Sequence, residues 1–248
     1  MKFTFNLNKK EFNMNRAKMF SLTAGFVLAM AFTLSCEDKE AKKAAEAAAA
    51  AAVLSAQTAE TPKKDDGSVD FGKLTQKFTD SRDGKTYKTV KIGTAVWMAE
   101  NLNFAAEGSK CYENNAGNCE KYGRLYNWAT ALKACPAGFH LPSDDEWTAL
   151  VNYAGGEDKA GTKLKSAAGW NKNGNGTNDF GWSALPGGEG DSDGGFGSAG
   201  GYGWWWSATE SDAGVAWRRG MIYDGEYVGR VDDDKTGLFS VRCVKDNK

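Results

Sequence analysis

The sequence predicts an α+β domain between residues 70 and 248. Its first half contributes helical patterns after a short strand meander, strand-like segments dominate its second half, and a Gly-rich stretch with dispersed aromatic residues lies between them. The chain has nine Trp and 30 Gly among its 248 residues, and this combination is typical of bulky core side chains joined by irregular loops. We therefore expect two helices, short antiparallel sheets and long Gly-rich loops.

The domain begins with a predicted antiparallel meander. Thr86 to Ile92 alternates in character like a half-buried strand, and Asp83-Gly84 directly before it is a hairpin turn signal. A second strand, Ala95 to Met98, follows Gly93-Thr94. These segments predict a small sheet at the start of the domain.

Two helices are predicted after the meander. Between Gly123 and Lys133, apolar residues recur at the spacing of one helical face, namely Leu125, Trp128, Ala129 and Leu132. The second helix begins with a capping box, in which the Ser143 hydroxyl accepts from the amide of Glu146 while the Glu146 side chain reaches back. The acidic residues of its first turn are stabilised by the positive end of the helix dipole, so a catalytic role is not needed to explain them.

Loops and strands are predicted for the second half of the domain. From Gly169 to Gly203 the chain is rich in Gly, Asn, Asp and Ser, with aromatic residues between them, a pattern that favours long loops held to a core. Four strand-like segments follow, which are Gly203 to Ala208, Val215 to Ile222, Glu226 to Val231 and Phe239 to Val244. The strands of this half complete the α+β order.

Residues 1–35 have the layout of a bacterial lipoprotein signal peptide. A basic start and an apolar stretch from Met19 to Phe32 precede Cys36, and that stretch is too short to span a bilayer. Thr33-Leu34-Ser35-Cys36 resembles a lipobox, the signal at which the cysteine is lipidated and the chain is cut before it. Met14 is an alternative start of the same signal.

These features predict a protein of the bacterial cell envelope, bound to the outer membrane through a lipid on Cys36. The alternative is an ordinary secretory signal with an incidental cysteine, and both place the domain in an oxidising compartment. Residues 36–69 then form an Ala-rich tether and a linker, because residues 41–60 are mostly Ala, with high helix propensity and no core of their own.

The charge balance excludes one class of partner. The signal peptide holds five of the 31 Lys and Arg and one of the 32 Asp and Glu, so the rest of the chain has a net charge of about −5 when histidine is neutral. Nucleic-acid binding needs basic residues to neutralise phosphates. We therefore expect no nucleic-acid partner.

Several motifs in order resemble the Fibrobacter succinogenes major paralogous domain over residues 80–246. They are Cys111-Tyr112-Glu113-Asn114, Cys119, Tyr122 to Trp128, Cys135 to Ser143, Glu146-Trp147, Trp205-Trp206-Ser207 and Ser240 to Cys243. The segments His140 to Trp147 and Val241 to Cys243 are also similar to the formylglycine-generating, sulfatase-modifying family. This resemblance implies a variant of the C-type lectin-like fold and little about activity.

Four cysteines remain when Cys36 is lipidated, and three disulfide connectivities are possible. We favour a bond from Cys111 to Cys119, closing a short Gly/Asn loop, and one from Cys135 to Cys243, joining the lead-in of the capped helix to the final strand. The long bridge is expected to contribute about 4 kcal/mol through loop-closure entropy. A zinc site is the alternative, but the Cys111-x7-Cys119 spacing is a poor match to one.

The sequence favours a protein that is not an enzyme. The resemblance suggests that formylglycine generation uses two closely spaced redox cysteines near the end of the domain, and only Cys243 stands there. His140, the one histidine, lies in a motif of the fold and is predicted to be structural. Carboxylates such as Asp191, Asp193 and those of residues 232–234 are not distinguished from solvated loop charges.

A binding function has more support, because sugar recognition combines aromatic faces with polar acceptors. The candidate ligand-binding residues are Trp204, Trp206, Glu210, Asn173, Asn175 and Asp179. Trp204 and Trp206 share one face of a strand and Trp205 takes the other, so at least one of the three is expected in the core.

Calcium is a possible cofactor of the same loops. Glu189, Asp191 and Asp193 offer the oxygen ligands that Ca²⁺ uses, although the closing Glu of an EF-hand and the signatures of calcium-dependent lectins are absent. We predict a polysaccharide-directed binding or adhesion module. The alternatives are a structural envelope protein with a protein partner and a diverged formylglycine-generating-type enzyme.

Overall fold

The computed structural model describes residues 75–247. The predicted signal peptide, Cys36 and the Ala-rich tether lie outside this range. The strands are β1 (Thr75–Thr79), β2 (Thr86–Ile92), β3 (Ala95–Met98), β4 (Leu125–Tyr126), β5 (Phe139–His140), β6 (Glu189–Gly190), β7 (Phe196–Gly197), β8 (Tyr202–Asp212), β9 (Val215–Ile222), β10 (Gly229–Asp234), β11 (Phe239–Ser240) and β12 (Val244–Lys245). The helices are α1 (Ala116–Tyr122), α2 (Trp128–Ala134), α3 (Asp144–Tyr153) and α4 (Glu157–Leu164), with short 3-10 turns at Tyr112–Asn114 and Asn171–Asn173. The described domain is thus α+β.

The first sheet has five strands in the order β1-β2-β3-β12-β5. The predicted meander is confirmed, since β1 pairs antiparallel with β2 and β2 with β3, and both β2 and β3 have the predicted bounds. The end of the chain completes this sheet. Val244 pairs with Trp97 on one side and with His140 on the other, so distant parts of the sequence share one sheet.

The second sheet has the order β10-β9-β8-β11-β4, and β6 and β7 form a separate hairpin. The sheet is mixed, which corrects the expectation of antiparallel sheets only, because Ser240 of β11 pairs parallel with Trp205 of β8. The predicted strand from Phe239 to Val244 is divided between two sheets. The backbone of Val241 and Cys243 accepts hydrogen bonds from Leu102 and Met98 while the chain crosses from one sheet to the other.

The capped helix α3 is confirmed in detail. Ser143 Oγ accepts from the Glu146 amide at 3.2 Å, and Glu146 Oε2 accepts from the Ser143 amide at 2.8 Å. The other predicted helix is shorter than expected. Asn127 caps α2, Leu125 belongs to β4, and Leu132 is exposed rather than part of the buried face.

Two further helices, α1 and α4, were not predicted. Both are short and contain glycine, and their buried residues are too few to give a periodic apolar pattern. In α4 the glycine is required by packing, because a Cβ on Gly161 would lie 2.5 Å from the carbonyl oxygen of Tyr227. The prediction of two helices is therefore wrong, and the domain has four among its described residues.

A cluster of tryptophan rings forms the centre of the larger core. Trp97, Trp147, Trp182 and Trp205 are all at most 1% exposed, and their ring centroids lie 5.2 to 6.4 Å apart where they touch. Trp182 comes from the Gly-rich stretch, as does the buried Trp170. The prediction that aromatic residues hold these loops to the core is confirmed for both.

The structure contains both favoured disulfides. Cys111 is bonded to Cys119 with a Cα–Cα distance of 4.9 Å, and Cys135 to Cys243 with 5.9 Å. The second bond links the end of α2 to the segment between β11 and β12, across 108 residues of sequence. It therefore joins the two halves of the domain covalently.

Candidate functional site

An open cleft of about 550 Å³ lies between the β6–β7 hairpin and the turn that joins β10 to β11. Four carboxylate side chains and two phenylalanines contribute to its walls, namely Glu189, Asp191, Asp233, Asp234, Phe196 and Phe239. The remaining lining is Ser, Thr and Gly, so the wall contains no basic side chain. The cleft therefore combines aromatic rings with hydrogen-bond acceptors.

The hairpin wall is shaped by hydrogen bonds within its loop. Asp191 Oδ1 accepts from the backbone amides of Asp193 and Gly195, at 3.0 and 2.8 Å. A Cβ on Gly195 would lie 2.4 Å from Asp191 Oδ2, so glycine allows the loop to close this tightly. Phe196 follows at once and packs on Tyr112, with ring centroids 5.6 Å apart. The loop thus fixes the position of Phe196 in the cleft.

The opposite wall is the end of β10 and the turn after it. Asp234 Oδ1 accepts hydrogen bonds from the Thr236 amide at 2.8 Å and from the Thr236 hydroxyl at 2.7 Å. These bonds favour the ionised carboxylate and lower the pKa of Asp234. This turn therefore presents a negative charge to the cleft.

Arg218 connects the cleft to the second sheet. Its guanidinium lies 3.7 Å from the centroid of the Trp204 ring and 4.5 Å from that of Phe239, and Nη2 contacts Asp233 Oδ2 at 2.6 Å. Its Nε and Nη1 atoms are buried without a hydrogen-bond partner. Burial lowers the pKa of Arg218, and the charges of Asp233 and Glu189 partly oppose this effect. Arg218 is thus a stacked cation whose charge is offset by carboxylates of the cleft.

The three consecutive tryptophans have different environments. Trp205 and Trp206 are both 0% exposed, and Trp206 Nε1 donates to the Tyr126 carbonyl at 2.7 Å. The prediction of Trp206 as a ligand-binding residue is corrected by this burial, since Trp206 belongs to a second core cluster that includes Tyr126, Phe239 and Val241. Trp204 is half-buried and stacks on Tyr202, with centroids 5.8 Å apart. Because Arg218 covers one face of its ring, Trp204 supports the cleft through Arg218.

The other predicted ligand-binding residues lie outside the cleft lining. Glu210 is exposed near the far end of β8 and pairs with Lys235 at 3.1 Å. Asn175 Oδ1 accepts from the Trp170 amide, Asn173 lies in a 3-10 turn, and the Asp179 amide donates to the Lys163 carbonyl. These three residues shape the Gly-rich loop, and none of the four contributes to the cleft.

The three candidate calcium ligands are not gathered around one point. Glu189 and Asp191 line the cleft whereas Asp193 does not, and Asp191 Oδ1 is engaged by its own loop. Within residues 75–247, no group of three or more His, Cys, Asp or Glu side chains is arranged to hold a metal ion. The expected calcium triplet is therefore not formed in the described structure.

His140 lies at a second, separate location. Its Nδ1 is 2.6 Å from Asp246 Oδ1 and its Nε2 is 2.8 Å from Glu146 Oε1. Burial opposes protonation of the imidazole, but the hydrogen bonds to the two carboxylates outweigh it and raise the pKa of His140. The neighbouring Glu146 also lines an apolar groove of about 420 Å³ between the β2–β3 turn and α3.

Sequence reasoning missed most of the residues that build the cleft. Phe196 and Phe239 lie in segments that were predicted only as loop or strand, and Asp233 and Asp234 were interpreted as solvated loop charges. Arg218, which stacks behind the cleft, was predicted only as part of a strand. The position of Arg218 depends on the pairing of β8 with β9, and no local pattern reports that register. Of the predicted site residues, only Glu189 and Asp191 line the cleft.

The fold and the cleft define a small, disulfide-linked α+β domain with an aromatic and acidic surface site. The chain belongs to the Fibrobacter succinogenes major domain family, whose sequence model matches residues 90–245. No curated protein and no solved structure matches the chain. Among the described residues, no helix has both the length and the apolar character needed to cross a membrane.

Proposed function

We propose that this protein is a non-catalytic, polysaccharide-binding module of the bacterial cell envelope. The observation that carries this proposal is the cleft, in which the partly exposed ring of Phe196 lies together with the carboxylates of Glu189 and Asp233. Apolar sugar faces pack on aromatic rings, and sugar hydroxyls donate to carboxylates. An open cleft of about 550 Å³ has room for one or a few sugar units on an extended chain.

The proposal includes a lipid anchor on Cys36 and a C-type lectin-like fold. The lipobox-like sequence ending at Cys36 supports lipidation and attachment to the outer membrane. The motifs from His140 to Trp147 and from Val241 to Cys243 support a C-type lectin-like fold related to the formylglycine-generating family. An Ala-rich tether between anchor and domain suits a module that binds a polymer away from the membrane.

The cysteines support a non-catalytic protein. All four cysteines within residues 75–247 are in disulfides, and Cys243 is bonded to Cys135 rather than to a neighbouring thiol. A pair of redox cysteines near the end of the domain is therefore not available among these residues. His140 is held by two carboxylates outside the cleft.

The test is retention of the full, oxidised chain on a panel of soluble and insoluble plant and bacterial polysaccharides, with calcium or with a chelator. We expect one glycan class to retain the protein. Phe196→Ala should lower its affinity at least about tenfold, equivalent to about 1.4 kcal/mol, because the ring that faces the sugar is lost. Tyr227→Ala is the matched control, since Tyr227 is exposed and outside the cleft.

Glu189→Gln is a second variant with a matched control in Glu107→Gln, because Glu107 is exposed and does not line the cleft. Weaker binding by the Glu189 variant alone would place the acceptors of the sugar hydroxyls in the cleft. The proposal would be refuted if Phe196→Ala and Tyr227→Ala were retained equally well. It would also be refuted if no glycan retained the folded protein. Loss of retention in chelator would instead assign a metal to the binding reaction.

A protein partner is the second candidate function, and the apolar groove is the observation that favours it. The groove is lined by Ile92, Ala95, Leu150 and Tyr153, and Tyr153 is 40% exposed. A photo-cross-linking residue in place of Tyr153 should capture an envelope protein in cells, whereas the same residue in place of Tyr227 should not. Equal capture at both positions would argue against a specific partner at this groove.

A further inference from the structure

The side chain of His140 links helix α3 to the segment that follows β12. Its two ring nitrogens contact Glu146 of α3 and Asp246, which follows β12. Both distances, 2.6 and 2.8 Å, are within the range of strong hydrogen bonds. His140 is about 40% exposed, so water has access to the ring.

The chemistry of the imidazole determines its charge in this arrangement. A neutral imidazole has one N–H, whereas an ionised carboxylate can only accept. Two ionised carboxylates can both be satisfied only by an imidazolium, which donates from both nitrogens. Glu146 and Asp246 are the charged groups that act on His140 from the elements packed against it. The geometry therefore assigns a positive charge to His140.

The two carboxylates depend on His140 to different degrees. Glu146 Oε2 also accepts from the Ser143 amide and hydroxyl, at 2.8 and 2.9 Å. The carboxylate of Asp246 makes no other hydrogen bond within residues 75–247, although its amide donates to the Gly138 carbonyl at 3.0 Å. Loss of one donor should thus release Asp246 and leave Glu146 in place.

The released segment would uncover part of the apolar groove. Asn247, next to Asp246, lines the groove together with Glu146 and Tyr153. We propose that residues 246–247 form a pH-controlled latch at the groove, closed while His140 is protonated and released when His140 loses its proton. This device is independent of glycan binding in the cleft, because none of its residues lines the cleft.

His140 is the only histidine of the chain, so one imidazole signal reports its state in the full protein. The experiment is an NMR titration that follows the ring nitrogens of His140 and the backbone dynamics of residues 246 and 247. We expect the imidazole of His140 to titrate with a midpoint above pH 6.5, the ordinary pKa of histidine. At the same midpoint the order parameters of residues 246 and 247 should fall from about 0.85 to below about 0.6.

Two variants separate the latch from a merely structural role. Asp246→Asn has nearly the same shape, and we expect it to lower the His140 midpoint and to leave residue 247 mobile at acidic pH. Glu107→Gln removes an exposed carboxylate elsewhere and should change neither observable. A His140 midpoint at or below 6.5, or residues 246 and 247 that stay rigid through the midpoint, would overturn the proposal.

Discussion

Arg242 donates from both Nε and Nη2 to the same atom, Oδ1 of Asn101, at 3.1 and 2.6 Å. The arginine is fully buried, and within residues 75–247 it forms no ion pair. Its guanidinium lies 4.0 Å from the Trp182 ring centroid and donates to the Trp182 carbonyl. Burial lowers the pKa of Arg242 to about 9, and Glu100 partly opposes that effect. The structure thus keeps a charged side chain in its core with neutral acceptors alone.

Asn101→Ala should therefore be strongly destabilising. The substitution removes the acceptor of two guanidinium hydrogen bonds, and leaving a buried donor unsatisfied costs about 1–3 kcal/mol, or more when the donor is charged. Urea denaturation of the full chain with intact disulfides measures the loss of unfolding free energy. Asn152→Ala, an exposed position on α3, is the control and should change it by less than about 0.5 kcal/mol. A loss below about 1 kcal/mol at Asn101 would contradict this account.

The free energy of unfolding should depend on pH through the ion pairs of His140 with Glu146 and Asp246. The hydrogen bonds to the carboxylates outweigh burial and raise the pKa of His140 above 6.5, so its contribution is complete below pH 6.5 and is lost as the pH rises through the folded value. Burial would raise the pKa of Glu146, but the bonds from Ser143 and His140 lower it below 4.5. Its contribution is complete above pH 4.5 and is lost as the pH falls through the folded value.

Both contributions are therefore complete between pH 4.5 and 6.5. His140→Gln should be less stable than the natural protein in this window, and the difference should shrink on the alkaline side. Denaturation midpoints measured at several pH values test this expectation. A difference that is constant from pH 5 to pH 9 would show that the charge of His140 does not contribute.

Gly220→Ala should disturb the second sheet next to the cleft. A Cβ at this position would lie 1.8 Å from an atom of the Trp204 ring, so the ring would have to move and leave Arg218. Overpacking of this kind costs about 1–3 kcal/mol, which urea denaturation measures. Gly214→Ala is the matched control, because a Cβ there has open space and the backbone is not in the left-handed region. Equal stability of both variants would disprove the close approach.

Substitutions of Arg218 should distinguish packing from charge. Arg218→Met keeps an extended chain between the rings of Trp204 and Phe239, and we expect a loss of at most about 1.5 kcal/mol. We expect its charge to contribute little to stability, because two of its nitrogens are buried without a hydrogen-bond partner. Arg218→Ala leaves a void and should cost about 2 kcal/mol or more. Chemical denaturation compares the two, and similar losses would mean that the ion pair with Asp233 dominates.

The two disulfides should differ in their contribution to stability. Replacing Cys135 and Cys243 together opens a loop across 108 residues, whereas replacing Cys111 and Cys119 opens one across 8. On loop-closure entropy, the first pair should cost about 2 kcal/mol more than the second. Thermal and urea unfolding of the two double Cys→Ser variants provide the comparison. A larger loss for the short loop would indicate that local strain or packing, rather than entropy, controls the difference.

Local signals in the sequence determined the first meander, the capped helix α3 and the α+β class. Strand alternation in Thr86 to Ile92 and the Ser143 capping box depend on residues within a few positions of each other, so the sequence reports them directly. The disulfide pairing was also predicted from the sequence, with the help of the family resemblance. The acidic loop at Glu189 and Asp191 was recognised as a possible site, although for calcium.

Only the tertiary structure decided which side chains form the cleft and which enter the core. Trp204 and Trp206 are alike by strand alternation, yet Trp206 is fully buried in the second core cluster, whereas Trp204 packs against that cluster, stays half-buried and has Arg218 over one face. Asn101, an acceptor of Arg242, lies 141 residues away from it, and Asp246, one of the two partners of His140, lies 106 residues away. Such contacts follow from how the two sheets pack and where the chain crosses between them. No local pattern records that arrangement, because burial and pairing at each of these positions depend on residues far away in sequence.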